Sequence, residues 1–225
     1  AAQYGVVPIE NSTEGAISRS LDLLLSSHVS VCGEVSLRVR HNLMTRAADL
    51  QAVKRIYSHS QSLGQCADWL AHHAPGVERQ AVSSNAEAAR LASLDAESAA
   101  IAGDRAAAHY GLNILFANIE DDANNTTRFL VIGSHDAGAS GRDKTSLVCS
   151  APNRPGAIHA LLQPFAEQGV SMSKLESRPS RTGLWEYVFY IDVEGHRDDV
   201  PVATALRLLQ DRAAFVKVLG SYPVE

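Results

Sequence analysis

Residues 124–129 carry the side chains of this chain best suited to binding and reacting with a small polar molecule. The segment combines two amides, two hydroxyls, one permanent cation and one aromatic ring, and it runs directly into the apolar residues 130–132. A guanidinium offers a planar fork of donors that matches a carboxylate, and hydroxyls and amides both donate and accept. The composition favours a site for an oxygen-rich acid at the mouth of a buried strand, while Asn and Thr are equally typical of a plain surface turn.

Length, composition and charge exclude several classes of protein. The chain has 225 residues, of which 45% are hydrophobic, so it is long enough for two domains with separate cores. Its net charge is −5, and no cluster of Lys and Arg lacks intervening acids, so we expect no nucleic-acid partner. No apolar run approaches the roughly 18 residues that cross a bilayer, so we expect no membrane association.

Cysteine and histidine usage bears on compartment and metal content. Cys32, Cys66 and Cys149 are odd in number and widely separated, which favours free thiols in a reducing compartment. The first residues lack the basic start and apolar core of a signal peptide, so we expect a cytoplasmic protein. The nine histidines show no ligand spacing, and we therefore expect no metal.

The elements that must position these side chains alternate in type along residues 1–133. A strand predicted at residues 4–9 is followed by a polar turn and by a helix at residues 16–26. The same order recurs three times, with strands predicted at residues 55–57, 77–82 and 98–102. The helix after the second of these four strands is predicted at residues 62–72. This order indicates an α/β domain with a largely parallel sheet, whose polar turns gather at the carboxyl ends of the strands.

The polar turns supply a second set of candidate residues. Ligands of open α/β sheets bind beyond the carboxyl ends of the strands, and helix N-termini favour anions. Three turns could therefore bind a dicarboxylic acid together with Arg128: Asn11 with Ser12, residues 58–61, and Ser83 with Ser84. The alternatives are that these side chains are plain helix N-caps and that Arg128 forms an ion pair holding the strand end.

A second domain follows a linker. Residues 134–143 are small, polar and rich in glycine, without periodicity. Beyond them the predicted order is strand, helix, strand, strand, helix, strand, which is the ferredoxin-like βαββαβ arrangement. The third of these strands alternates most clearly, with Trp185, Tyr187, Phe189, Ile191 and Val193 on one side. We predict that this side is buried and that the other faces solvent.

Five segments together resemble one known enzyme family. Residues 8–12, 58–61 and 125–129 resemble the signature segments of prephenate dehydratase. Residues 153–157 and 175–179 resemble the phenylalanine-binding segments of the ACT regulatory domain of that enzyme. The resemblance implies a two-lobed, periplasmic-binding-protein-like catalytic domain over residues 1–133, a linker over 134–143 and an ACT domain over 144–225.

The resemblance implies a lyase that converts prephenate to phenylpyruvate, with arogenate as an alternative substrate and with feedback inhibition by L-phenylalanine. Aromatisation supplies the driving force, so neither a metal nor an organic cofactor is implied. Thr127 is the implied catalytic residue; because a threonine hydroxyl is a poor acid, it orients a proton relay rather than supplying the proton outright. The implied substrate-binding residues are Glu10, Asn11, Ser12, Ser58, His59, Gln61, Ser83, Ser84, Asn125, Thr126, Arg128 and Phe129.

The resemblance also implies an allosteric site that needs two subunits, hence a homodimer or homotetramer. L-phenylalanine would bind between residues 153–157 of one subunit and 176–179 of its neighbour. The implied residues are Asn153, Pro155, Gly156, Ala157, Leu175, Glu176, Ser177, Arg178 and Pro179. The alternative for Pro155 and Gly156 is a turn that merely opens a helix.

Two departures from the family pattern are visible. Ser60 stands where the family usually has proline, and the family's opening strand and glycine-rich turn are not found before Tyr4. The first lobe of the catalytic domain would then be incomplete. A competing hypothesis follows: the chain is a catalytically incomplete fragment that acts only as a phenylalanine-binding module. The sequence leaves open whether a chorismate mutase domain precedes this segment.

Overall fold

The structure is a computed structural model that describes residues 2–152, 154–180 and 187–224. Its contacts divide the chain into two compact units. The terminal unit consists of Ala1–Leu37 and Thr127–Glu225, and the inserted unit consists of Arg38–Thr126. The expected α/β class is confirmed, because strands and helices alternate through both units.

The elements are numbered in chain order. Up to residue 116 they are β1 (Tyr4–Asn11), β2 (Gly15–Ala16), α1 (Ser18–Ser26), β3 (Ser30–Arg38), β4 (Asn42–Thr45), β5 (Arg55–His59), α2 (Ser60–Gly64), α3 (Ala67–His73), β6 (Glu78–Val82), α4 (Asn85–Leu94), β7 (Ser98–Ala102), α5 (Asp104–Tyr110) and β8 (Asn113–Phe116). The remainder are β9 (Thr126–Gly133), β10 (Asp143–Ser150), α6 (Ala157–Glu167), β11 (Met172–Pro179), β12 (Tyr187–Glu194), α7 (Val200–Arg212) and β13 (Phe215–Pro223). Residues 134–142 form neither helix nor strand.

The inserted unit is built on a five-stranded sheet of order β6-β5-β7-β4-β8. The predicted parallel pairing is confirmed for β5, which is parallel to both β6 and β7, whereas β4 runs antiparallel to β7 and β8. Strand β7, which contains Ile101, is buried along its whole length, and Leu43 of β4 and Ile56 of β5 are fully buried beside it. Burial of each such side chain contributes about 1.5–3 kcal/mol, which makes this sheet the core of the unit.

The predicted helix at residues 62–72 is wrong as a single element. The structure has two short helices, α2 and α3, and the second begins at Ala67. The carboxylate of Asp121 accepts the backbone N–H groups of Asp68 and Trp69, both at 3.0 Å. A distant carboxylate thus satisfies the free donors of a new helix N-terminus, which local periodicity does not reveal.

The first sheet of the terminal unit corrects another expectation. Strand β1 was predicted to belong to a parallel sheet, but it pairs antiparallel with β9, in a sheet of order β2-β1-β9-β3. The register shifts between Pro8 and Glu10, where the backbone forms a bulge. Beyond the bulge Glu10 lies opposite Arg128, and Asn11 lies opposite Thr127. Adjacent pairs in a ladder point to opposite faces, so these two pairs are on different sides of the sheet.

The second sheet of the terminal unit has the predicted ferredoxin-like order. Strands β11-β12-β10-β13 are antiparallel neighbours, and α6 and α7 pack together beside this sheet. One face of α7 is apolar and buried, formed by Val202, Ala205, Leu206 and Leu209. The helices and one sheet face therefore share a core that includes Phe165 and Ile191.

The other face of this sheet is buried as well, so the prediction of a solvent-facing side on β12 is wrong. Tyr190 is only 3% exposed, and its hydroxyl donates to Leu21 O at 2.8 Å. Helix α1 and the β1-β9-β3 sheet cover this face through Leu24, Val31 and Leu130. The ferredoxin-like sheet is thus sandwiched between its own helices and the first part of the chain. Trp185 lies outside the described residues.

Among the residues that the structure describes, no helix is both long and apolar enough to span a membrane. The three cysteines are free thiols, as predicted. Burial raises the pKa of the Cys66 and Cys149 thiols to about 12, so both remain protonated at neutral pH.

Candidate functional site

Asn11 and Thr127 form a hydrogen-bonded pair at the adjoining ends of β1 and β9. Asn11 Nδ2 donates to Thr127 Oγ1 at 2.9 Å. Asn11 Oδ1 accepts from the backbone N–H groups of Thr13 and Glu14, at 3.0 and 3.1 Å, which fixes the amide orientation. Because Thr127 Oγ1 accepts this bond, its own hydroxyl hydrogen is directed elsewhere and can be donated to a ligand.

The face that carries this pair also carries Phe129. Phe129 lies two positions beyond Thr127 on β9, opposite Pro8, and it is half-buried. Ser12 follows Asn11 and is exposed. The structure therefore brings four of the predicted substrate-binding or catalytic residues to adjoining positions of the terminal unit: Asn11, Ser12, Thr127 and Phe129.

Arg128 points to the opposite face of the sheet, so its predicted role as a carboxylate ligand is corrected. Its guanidinium donates to Glu34 Oε2 at 2.6 Å, to Asp192 Oδ2 at 2.7 Å and to Tyr222 OH at 3.0 Å. Burial opposes the charge, but Asp192, Tyr222 and Glu34 outweigh it and raise the pKa of the guanidinium. The alternative named above, an ion pair holding the strand end, is what the structure has.

Glu10 shares the face of Arg128. Its carboxylate accepts a hydrogen bond from Lys174 Nζ of β11 at 2.8 Å and lies 3.9 Å from Arg128 Nη1. The side chain is therefore engaged by the ferredoxin-like sheet on the side away from Thr127. Register with β9 decides this orientation, and the sequence alone does not give the register.

Ser58 is fully buried in the inserted unit, so its hydroxyl serves the fold rather than a ligand. Its Oγ lies 2.8 Å from Ile101 O and 3.0 Å from Asn85 Oδ1. Asn85 also accepts from His59 N and donates to Ser62 Oγ. Asn85, the first residue of α4, thus ties β5 to α2 and α4, a role that its position directly after Ser83 and Ser84 does not reveal.

The other predicted turn residues of the inserted unit fall into two groups. His59 and Ser84 are N-caps: His59 Nδ1 accepts from Gln61 N at 3.3 Å, and Ser84 Oγ accepts from Glu87 N at 3.1 Å. The side chains of Gln61 and Ser83 are exposed beyond the carboxyl ends of β5 and β6. The N-cap alternative thus holds for His59 and Ser84, while Gln61 and Ser83 are available to a ligand.

Asn125 and Thr126 shape the chain that enters β9. Asn125 is buried, and its backbone carbonyl accepts from Val39 N at 2.8 Å. Thr126 Oγ1 donates to Asn124 O at 2.9 Å, which is a turn interaction. Within the part of the chain that the structure describes, no group of three His, Cys, Asp or Glu residues could hold a metal ion.

A cavity of about 780 Å³ opens beside α6 in the terminal unit, and that volume lies within the usual range of small-molecule pockets. Gly156 and Ala157, two of the predicted phenylalanine-binding residues, line the cavity together with Ile158, Tyr187 and Phe215. The Ile158 side chain is 48% exposed. Gly156 has a φ of +76° and immediately precedes α6, so the helix-opening turn exists and also borders the cavity. Asn153 lies outside the described residues.

The second predicted phenylalanine-binding segment, on β11, does not line this cavity. Leu175, Ser177 and Pro179 are exposed on an edge strand of the sheet. Glu176 and Arg178 alternate with them, and the Arg178 guanidinium reaches Ser18 Oγ at 2.5 Å and Asp22 Oδ1 at 3.3 Å. Arg178 is therefore bound to α1, and its role at a ligand site between two subunits stays a prediction. The first segment includes Pro155, which is exposed and precedes the cavity-lining Gly156.

Comparison with known proteins connects these features to one family. Residues 1–137 match the family model of prephenate dehydratase, and residues 145–207 match that of the ACT domain. The bifunctional chorismate mutase/prephenate dehydratase of Neisseria gonorrhoeae is 56% identical over 225 residues, which are 99% of this chain and 62% of that protein. The prephenate dehydratase of Methanocaldococcus jannaschii is 38% identical over 230 residues, covering 98% of this chain and 81% of that protein.

A solved structure shows the same fold. Prephenate dehydratase from Arthrobacter aurescens in complex with L-Phe superposes with a TM-score of 0.90 at 34% identity, covering 99% of this chain and 76% of that one. The chain spans about three fifths of the length of the bifunctional relatives that it matches. The matched models and the relatives agree on both parts of the sequence, and the chain therefore belongs to the prephenate dehydratase family and carries an ACT domain.

Proposed function

We propose that this chain catalyses the decarboxylating dehydration of prephenate to phenylpyruvate, and that it is a carbon–oxygen lyase. The observation that carries the proposal is the Asn11–Thr127 pair, whose fixed amide leaves the threonine hydroxyl able to donate to a ligand. Family membership supplies the reaction class. The Asn11–Thr127 pair supplies a donor suited to a departing hydroxyl group.

The reaction asks little of the protein beyond positioning. The bond between the ring and its hydroxyl breaks, and the bond between the ring and its carboxylate breaks as CO₂ leaves. The electron pair of the second bond enters the ring, which becomes aromatic, and the hydroxyl takes one proton and leaves as water. Orientation of the substrate and a hydrogen bond to the departing oxygen are therefore the useful contributions.

Thr127 is the proposed donor to that oxygen. The hydroxyl pKa of threonine is far too high for it to give up its proton permanently, so Thr127 orients the proton and passes it along a relay. The N–H of Asn11 fixes the Thr127 hydroxyl rotor and polarises it by donating to its oxygen. Ser12 and Phe129 are the proposed substrate contacts beside this pair.

We further propose that L-phenylalanine binds to the ACT domain and inhibits turnover. The related Arthrobacter aurescens structure holds L-Phe. In this chain the proposal is supported by the cavity beside Gly156, where apolar Ile158, Tyr187 and Phe215 could contact an aromatic ring. The exposed edge of β11, with Leu175, Ser177 and Pro179, supports pairing with a second copy, so the proposed assembly is a homo-oligomer. The free cysteines support a cytoplasmic location as part of the same proposal.

An assay of the purified chain with and without phenylalanine tests both parts of this proposal. We expect prephenate to be converted to phenylpyruvate, and we expect phenylalanine to lower the rate in a saturable manner. Arogenate assayed in parallel decides the preferred substrate. Saturable phenylalanine binding without any phenylpyruvate would overturn the catalytic proposal and support the competing one, a regulatory module without turnover.

A further inference from the structure

Two cross-strand pairs of opposite charge meet where the β1-β9 sheet packs on the ACT sheet. Glu10 lies opposite Arg128 in the first sheet, and Lys174 lies opposite Asp192 in the second. Lys174 Nζ donates to Glu10 Oε2 at 2.8 Å, and Arg128 Nη1 donates to Asp192 Oδ2 at 2.7 Å. We call these four residues the charge square, and all four belong to the terminal unit.

Three of the four members of the charge square are largely withdrawn from solvent. The side chains of Lys174 and Asp192 are each only 9% exposed, and that of Arg128 is 16% exposed. Ion pairs in such surroundings are screened far less than surface pairs. Arg128 also pairs with Glu34 at 2.6 Å, and Glu10 is 39% exposed, so the pair that solvent screens least is Arg128–Asp192. Arg128 and Asp192 therefore constrain each other's position more strongly than an exposed ion pair would.

Further hydrogen bonds hold the Asp192 corner of the square in place. Ser146 Oγ donates to Asp192 Oδ1 at 2.5 Å and lies 2.7 Å from Tyr222 OH. Tyr222 OH in turn accepts from Arg128 Nη2 at 3.0 Å. Arg128, Asp192, Ser146 and Tyr222 thus close a ring of hydrogen bonds in which three members belong to the ACT sheet.

The charge square is joined directly to the catalytic pair. Glu10 and Arg128 are the chain neighbours of Asn11 and Thr127, on the opposite face of the same two strand ends. A backbone shift at Glu10 or Arg128 moves Asn11 or Thr127, to which the shifted residue is covalently joined. A misplacement of about 1 Å at a reacting group can lower the rate roughly 100-fold. The positions of Glu10 and Arg128 therefore affect the rate through Asn11 and Thr127.

We propose that Lys174 and Asp192 are positioning residues of the ACT domain that set the orientation of Thr127 through Glu10 and Arg128. This inference rests on the proposed function. Lys174 directly precedes Leu175, the first residue of the predicted phenylalanine-binding segment on β11. A ligand that displaces β11 would therefore move Lys174, and the charge square would pass the displacement to β1 and β9, which carry Asn11 and Thr127.

Steady-state kinetics of Asp192→Asn and Lys174→Gln in the 225-residue chain test the proposal. We expect kcat for prephenate to fall about 10-fold while KM changes less than about 2-fold, because orientation rather than binding is lost. Lys174→Arg, which keeps the charge, is expected to recover most of kcat. The matched control is Lys54→Gln, which breaks an exposed pair with Glu97 and is expected to leave both constants unchanged.

A second measurement does not depend on turnover. In the amide NMR spectrum, Asp192→Asn is expected to shift the signal of Thr127, and Lys54→Gln is not. Folded variants with wild-type kcat and an unmoved Thr127 signal would overturn the positioning role, as would an effect on KM alone. If Asp192→Asn fails to fold, Lys174→Gln decides, because Glu10 is partly exposed and tolerates the loss of its partner. An inactive wild-type chain would overturn the proposed function and this inference with it.

Discussion

Replacing Thr127 with valine is expected to lower kcat for prephenate by about 100- to 1000-fold, the range typical of losing one oriented donor at a reacting oxygen. Valine keeps the size and β-branching of threonine, so the strand geometry of β9 is preserved. The change removes the only hydrogen that this side chain can donate. The Asn11 amide also loses its acceptor, at a cost of about 1 kcal/mol in stability.

Two companion variants make the Thr127 result specific. Thr127→Ser restores the hydroxyl and is expected to recover much of the rate. Thr204→Val makes the same chemical change at a half-buried position of α7, where the hydroxyl donates to Val200 O, and its kcat is expected to equal that of wild type. Near-full turnover by a folded Thr127→Val variant would show that the threonine hydroxyl takes no part in the reaction.

Gly220→Ala is expected to produce the largest loss of stability of any single methyl addition in the terminal unit. A Cβ at position 220 would lie 2.0 Å from Val31 O and 2.8 Å from Val31 C and N. These are main-chain atoms, so no side-chain rotation relieves the clash, and β3 or β13 must move. Overpacking of this kind costs about 3 kcal/mol or more, because the buried contact between the two sheets is opened.

Thermal unfolding measures this effect, with Gly138→Ala as the matched control. Position 138 has nothing within 4 Å of its ideal Cβ and lies in the exposed segment between β9 and β10. Its substitution is expected to change stability by less than about 0.5 kcal/mol. Equal melting temperatures for the two variants would contradict the close packing of β13 against β3.

The ferredoxin-like part of the fold could be predicted because its signals are local. The spacing of Val202, Ala205, Leu206 and Leu209 identifies the buried face of α7, and all four are buried. The opposite face of β12 was predicted wrongly although a signal was present. Residues 187–191 form a continuous apolar run, which is typical of a strand buried on both faces, and α1 with the β1-β9-β3 sheet supplies the second cover.

The residue types of the candidate site could be predicted from the sequence, but the sheet face to which each side chain points could not. Thr127 and Arg128 are neighbours with equally suitable chemistry, and only the pairing with β1 shows that they point to opposite faces. That pairing joins positions more than 100 residues apart, so no local pattern specifies it. A contact between residues far apart in sequence also explains the error at α3. The Asp121 carboxylate accepts from the first N–H groups of this helix, whereas periodicity alone predicts one helix that merges α2 and α3.

The proposed catalysis depends most on Asn11 and Thr127 acting as one unit on the departing hydroxyl, and a double-mutant cycle measures this coupling directly. Asn11→Asp keeps an oxygen for Thr13 N and Glu14 N but removes the N–H donated to Thr127. We predict that kcat/KM of the double variant equals that of Thr127→Val alone, giving a coupling of about 1–3 kcal/mol between the two positions. If the two single variants lower kcat/KM independently, so that their effects multiply in the double variant, the proposed coupling is contradicted. It is also contradicted if both single variants retain wild-type kcat/KM.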